Sequence, residues 1–159
     1  MTPFTLNLRG RLAEYSRPVV MGVLNVTPDS FYSGSRAQTH ADITRRARQL
    51  VADGADMLDI GAYSSRPGAD DVSADEELRR LEAGLSAVRE AVGYDIPVSV
   101  DTFRADVARR AVEWGADIIN DISGGLLDEG MFETVADLHV PYILMHMRGT
   151  PARMQQLTH

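Results

Sequence analysis

Five short apolar runs recur along this chain, at 19–24, 57–60, 98–100, 118–119 and 142–145, with longer amphipathic stretches between them. Each run is rich in Val, Ile or Leu and too short to be a helix, so each reads as a candidate strand. Between them, apolar residues recur at helical spacing: Ile43, Ala47, Leu50 and Val51; Leu78, Leu81, Leu85, Val88 and Val92; Val107, Ala108, Ala111 and Val112. A fourth, shorter helical stretch falls near 131–138. Strand and helix in strict alternation constrain the chain to parallel α/β architecture, because a parallel pair needs a long crossover and a helix supplies it. Ahead of the alternation, 4–8 and 11–15 can pair as a hairpin turning at Gly10.

The joints between helix and strand repeat as well. Gly54-Ala55-Asp56 leads into Met57-Leu58-Asp59-Ile60, and Gly115-Ala116-Asp117 leads into Ile118-Ile119-Asn120-Asp121. Glycine after a last helical turn can take the left-handed conformation that ends it. Ser73 followed by Glu76 forms a capping box ahead of the second helix, expected to satisfy two backbone donors. One βα unit used repeatedly, with crossovers of one hand, either closes a barrel or makes an open sheet, and periodicity does not choose between them.

At 159 residues the chain holds one core and reads as one domain, 1–159, with the hairpin in 1–18 and the βα units in 19–159. With 44% hydrophobic and 25% charged residues it has ordinary globular composition. A formal net charge of −7 argues against nucleic-acid or anionic-membrane partners, which need a basic face. No apolar run reaches the roughly 18 residues of a membrane span, and the N-terminus lacks a signal-peptide layout, so a cytoplasmic location is expected. The absence of cysteine excludes disulfides and thiolate metal sites.

In either architecture ligands bind beyond the C-terminal ends of the parallel strands. There the runs give way to Asn25, to Asp59 and then Ser64, Ser65 and Arg66, to Asp101, to Asn120 and Asp121, and to Met145, His146 and Arg148. Carboxylates and amides in such a ring suit a planar heterocycle, whose N–H, amino and carbonyl edges they can pair. Taken singly, each has a plain structural role available: Asp101 capping the next helix, Asn120 and Asp121 making turn bonds, Asp59 tying a loop, Met145 and Met147 packing in the core. Taken together, Asn25, Asp101 and Asn120 at one end of three strands favour a binding site.

Two polar connections add to this. One reads LNVTPDSFYSGSR over 24–36, with a single aromatic, Phe31; the other reads DIGAYSSRPGA over 59–69, with hydroxyls, Arg66 and a Pro-Gly pair suited to gripping a phosphate or carboxylate. Other chemistries find no support. There is no phosphate-binding glycine loop, the four histidines lack zinc-ligand spacing, and no serine sits in a glycine-flanked elbow.

These segments resemble the dihydropteroate synthase family. MGVLNVTPDSF over 21–31 and DIGAYSSRPGA over 59–69 are similar to its first two signatures. SVDTFRADVA, GADIINDISGG and LMHMRGTPARMQ resemble its motifs at strands three, four and five, in the same order. The resemblance implies a (β/α)8 TIM barrel of which this chain supplies about the first five βα units, and an enzyme joining 6-hydroxymethyl-7,8-dihydropterin diphosphate to p-aminobenzoate in folate biosynthesis. It implies that Asn25 helps bind Mg²⁺ and that Asp101 and Asn120 hold the pterin, with Asp59 and Met145 also counted among the substrate contacts. Ser65, Arg66 and Pro67 would belong to a loop over diphosphate and p-aminobenzoate, with Phe31 and Pro67 walling the latter's pocket; Arg66, Ser65 and Asp101 are the residues expected to carry catalysis. It further implies a transferase of sulfonamide-target type, a homodimer when full length. The loop departs from the family's usual form at Ala62, Tyr63 and Ser65, where glycine, glutamate and threonine are usual. A barrel of this type takes about 250 residues, so the 159-residue chain is expected to be catalytically incomplete by itself. Two other outcomes compete: a methyltetrahydrofolate-binding corrinoid methyltransferase domain, and a non-catalytic pterin-binding fragment.

Overall fold

The computed structural model describes residues 2–27, 40–63 and 72–146. The hairpin forms at the expected positions, β1 Phe4–Leu8 against β2 Arg11–Tyr15, with Leu8 opposite Arg11 across a two-residue turn. Asn7 Oδ1 accepts the Gly10 N–H at 2.8 Å and fixes that turn.

The alternation then runs β3 Met21–Asn25, α1 His40–Ala52, β4 Met57–Gly61, α2 Ala74–Val92, β5 Val98–Asp101, α3 Ala105–Glu113, β6 Ile118–Asp121, α4 Met131–Leu138 and β7 Tyr142–Leu144. The strands form one parallel sheet in chain order, β3-β4-β5-β6-β7. Unbroken order separates the two architectures left open by periodicity: a doubly wound sheet reverses at a switch point, whereas a barrel winds one way. This sheet winds one way.

Boundaries differ from the apolar runs where polar side chains intervene. The first strand begins at Met21 and not at Val19, because the Val20 N–H is taken by the Asp56 carboxylate at 2.9 Å. Strands β5 and β6 extend past their apolar stretches to Asp101 and Asp121, so the polar residues belong to the ladder itself. The capping box is half made. Ser73 Oγ accepts the Glu76 N–H at 3.2 Å, but the Glu76 carboxylate turns to Arg79 and Arg80.

The strands bury two faces differently. Leu24, Ile60, Val100 and Ile119 are fully buried against Ala47, Leu81, Leu85, Val88 and Val107 of the helices, each such side chain contributing about 1.5–3 kcal/mol. On the other face Met57 and Ile118 pack with Leu6, Leu8, Ala13, Tyr15, Met21 and Ile143. The hairpin therefore lies across the N-terminal ends of the strands and closes that end.

The repeated joint has one structural job in both copies. Gly54 and Gly115 take φ of 105° and 110°, beyond the reach of ordinary side chains, and let Ala55 and Ala116 N–H turn back to Leu50 and Ala111 carbonyls. The following aspartate then pins an earlier neighbour: Asp56 Oδ2 accepts from Val20 N, and Asp117 Oδ2 accepts from Val98 N at 2.8 Å. Arg17 neutralises the first, and the buried Arg89 the second at 2.6 Å.

Candidate active site

Along each strand, side chains alternate between the helix side and the other face, and in-register residues of parallel strands share a face. The register sets Asn25, Gly61, Asp101 and Asn120 in one row at the C-terminal ends, and Val23, Asp59 and Ser99 in the row beneath. Asp59 on β4 and Asn120 on β6 are separated by β5, about 10 Å of sheet. Their side chains nevertheless meet, Asn120 Nδ2 donating to Asp59 Oδ2 at 3.1 Å. Two short side chains span that gap only when the sheet curls with this face inside, so the site lines the concave side opposite the helices.

The middle of the concave face is buried and under-satisfied. Asn120 is 6% exposed, Asp59 5% and Ser99 0%. Asp59 Oδ1, Ser99 Oγ and Asn120 Oδ1 have no hydrogen-bond partner. A cluster of buried polar atoms without partners costs stability, and a ligand that supplies hydrogen bonds recovers it.

Carboxylates dominate the electrostatics. Burial pushes the Asp101 carboxyl up to about 7, helped by the negative charges of Asp59, Glu77 and Asp121. Burial also raises Asp59, an effect partly offset by the Asn120 amide and by Ser99, which lies near Asp59 outside hydrogen-bond geometry. Among the described residues no Lys or Arg pairs with either acid. The arrangement can take N–H groups from a ligand, and Asp101 can change protonation near neutral pH.

Gly61 sits between Asn25 and Asp101. A Cβ there would lie 3.2 Å from Asn25 Oδ1 and 3.8 Å from Asp101 Oδ2, so the absent side chain leaves a notch between two oxygens. Oxygen donors suit a hard cation such as Mg²⁺, which keeps water and takes ligand phosphates as well. Among the described residues no group of three His, Cys, Asp or Glu forms a complete cage, so such a cation would rely on Asn25 and a phosphate-bearing ligand.

The structure thus brings together Asn25, Asp59, Asp101 and Asn120. Met145 lies just past β7, 41% exposed, its N–H bonded to the Asp121 carbonyl. Phe31, Ser65, Arg66 and Pro67 lie outside the described residues. The local roles considered from the sequence divide. Asp101 does not cap α3, whose first N–H groups go to Thr102 Oγ1 and Asp128. Asp121 is a turn residue, accepting from Ser123, Gly125 and Tyr142. Two contributors escaped sequence reasoning. Ser99 lies inside an apolar run, where only the alternation V-S-V-D marks it. Glu77, fully buried on α2, accepts from Thr102 Oγ1 at 2.7 Å and from Arg104, and so braces the end of β5.

Comparison with known proteins identifies the family and the fold. A family model described as pterin binding enzyme matches residues 21–159. The chain is 50% identical over 147 residues to a mitochondrial folate synthesis bifunctional protein of Pisum sativum, covering 92% of this chain and 28% of that protein. It is 46% identical over 142 residues to a dihydropteroate synthase of Synechocystis, covering 89% and 48%. A solved dihydropteroate synthase of Xanthomonas albilineans with 4-aminobenzoic acid superposes with a TM-score of 0.83 at 43% identity, covering 93% of this chain and 53% of that one. The chain spans about half the length of these two synthases.

Proposed function

Since this chain belongs to the pterin-binding enzyme family, we propose that the protein it represents is a dihydropteroate synthase, joining 6-hydroxymethyl-7,8-dihydropterin diphosphate to p-aminobenzoate. The observation that carries this is the concave row of Asp101 and Asn120, with the unpartnered Asn120 Oδ1 in that row and the Asp59 carboxylate buried beneath it. A pterin offers ring N–H and amino groups on one planar edge, which is what such acceptors require.

In the reaction a nitrogen–carbon bond forms between the p-aminobenzoate amine and the pterin methylene, the carbon–oxygen bond to diphosphate breaks with its electron pair leaving on diphosphate, and the amine gives up a proton. Cationic character builds at the methylene. Carboxylates of Asp101 and Asp59, in their ionised forms and set in the low-dielectric surroundings of the sheet, stabilise that charge more than they would in water. Asn25 would hold Mg²⁺ with the diphosphate, and the ion would supply neutralisation of the leaving group. Ser65 and Arg66 are assigned to the diphosphate and p-aminobenzoate side, with Phe31 and Pro67 against the aromatic ring and Met145 against the pterin. No described helix is long and apolar enough to cross a membrane; we read the protein as a cytoplasmic homodimer on the family's pattern.

The test is synthesis of dihydropteroate from the two substrates by the protein expressed from its complete reading frame. Activity is expected to need Mg²⁺ and to vanish in Asp101→Ala. Undiminished turnover by that variant would end the assignment.

A further inference from the structure

We propose that Asp59 is a positioning residue that acts through Asn120, holding its carboxamide so that the ligand meets the amide oxygen. The inference rests on the pterin reading of this face and deepens it. The geometry is specific: Asn120 Nδ2 is bound to Asp59 Oδ2 at 3.1 Å across an intervening strand, while Asn120 Oδ1 has no partner. A carboxylate oxygen accepts and does not donate, so it holds the nitrogen end of the amide and repels the oxygen end. Rotation of the amide by half a turn would set two acceptors against each other in a buried site. Asp59 itself lies one row below Asn120 and Asp101, where Ser99 is its in-register neighbour on β5. Its place is under the binding row, not in it. Asn120 therefore reads N–H donors on the ligand, and its choice of donor over acceptor is made by a residue that need not touch the ligand.

An exchange of the two side chains tests this in the protein from its complete reading frame. Asp59→Asn frees the amide to present either end, and Asn120→Asp places two carboxylates together. Each is expected to weaken binding of the pterin diphosphate by roughly tenfold or more, the loss of one charge-assisted hydrogen bond. The double variant D59N/N120D keeps one amide, one carboxylate and one hydrogen bond, and still turns an oxygen acceptor to the ligand. It is expected to bind within about threefold of wild type, since the coupled pair is restored. A double variant as weak as Asn120→Asp alone overturns the proposal, and so do single variants that bind normally. A second arm needs no ligand: in the free protein the Asn120 side-chain NH₂ resonances should shift in Asp59→Asn, and unchanged resonances also overturn it. Wild-type protein that binds no pterin diphosphate would instead remove the proposed function, leaving the NMR arm to decide the amide lock.

Discussion

Asp101→Asn should make the protein more stable and less able to bind. The Asp101 carboxyl is held at about 7 against an ordinary value of 3.8, first by burial and then by Asp59 on β4, Glu77 on α2 and Asp121 on β6. Because its affinity for the proton is higher in the folded state, the stabilisation from that proton is complete below the ordinary carboxylate range and is lost as pH rises through about 7. Roughly three units at 1.36 kcal/mol each set a ceiling of about 4 kcal/mol, nearer about 2 once solvent screening of a partly exposed group is allowed. Asparagine has nearly the same shape and never ionises. Urea denaturation of both proteins should show little difference near pH 4 and a growing advantage for the variant up to about pH 8, where it levels off. Pterin diphosphate binding, measured on the same samples, should fall. A stability difference that stays flat with pH, or favours wild type at high pH, would refute the reasoning. The opposite signs of the two effects mark a residue kept for its ligand at a cost to the fold.

Two further outcomes follow from the same structure. Glu77 is fully buried and its charge is met by Arg104 and the Thr102 hydroxyl; Arg104→Met should cost about 3–5 kcal/mol in urea denaturation by stranding that carboxylate, and adding Glu77→Gln should recover most of it. If Asn25 supports Mg²⁺ with the substrate diphosphate, chelation should weaken binding of the pterin diphosphate and leave the hydroxymethylpterin unaffected in calorimetric titration. Asn25→Ala should then make the diphosphate ligand indifferent to chelator.

Much of this was legible in the sequence because it follows from local rules. Alternating apolar runs and helical periodicity gave the elements, with α4 and the hairpin at their predicted bounds. The polar residues at the strand ends marked the row that the register sets side by side. What escaped depends on the third dimension. That Asn120 reaches Asp59 is a consequence of sheet curvature, and curvature is not written in any one strand. Glu77 was invisible because the helical pattern marks it as one acid among Asp75, Glu76 and Glu77 at an exposed-looking helix start. Only the approach of Arg104 from the β5 end makes it a buried partner.

The deepest division in the molecule is between two sets of aspartates that look alike in sequence. Asp56 and Asp117 precede their strands; Asp59 and Asp101 stand at or near the opposite ends. At the N-terminal end each acid has an arginine and a backbone N–H, Arg17 and Val20 for one, Arg89 and Val98 for the other. The Arg17 contact and the Val20 N–H draw the Asp56 carboxyl below its ordinary range, and its charge is spent on the fold. At the C-terminal end Asp59 and Asp101 have no cation among the described residues, and burial raises both. An acid whose charge is satisfied has nothing left for a ligand, whereas one left short of partners gains by binding. In this one-way-wound βα sheet the joint at the bottom is used twice, before β4 and β6, to hold the fold, while the strand ends at the top differ from one another. Carboxylates supplied with cations below and starved of them above are how one residue type serves stability and recognition within a few residues of itself.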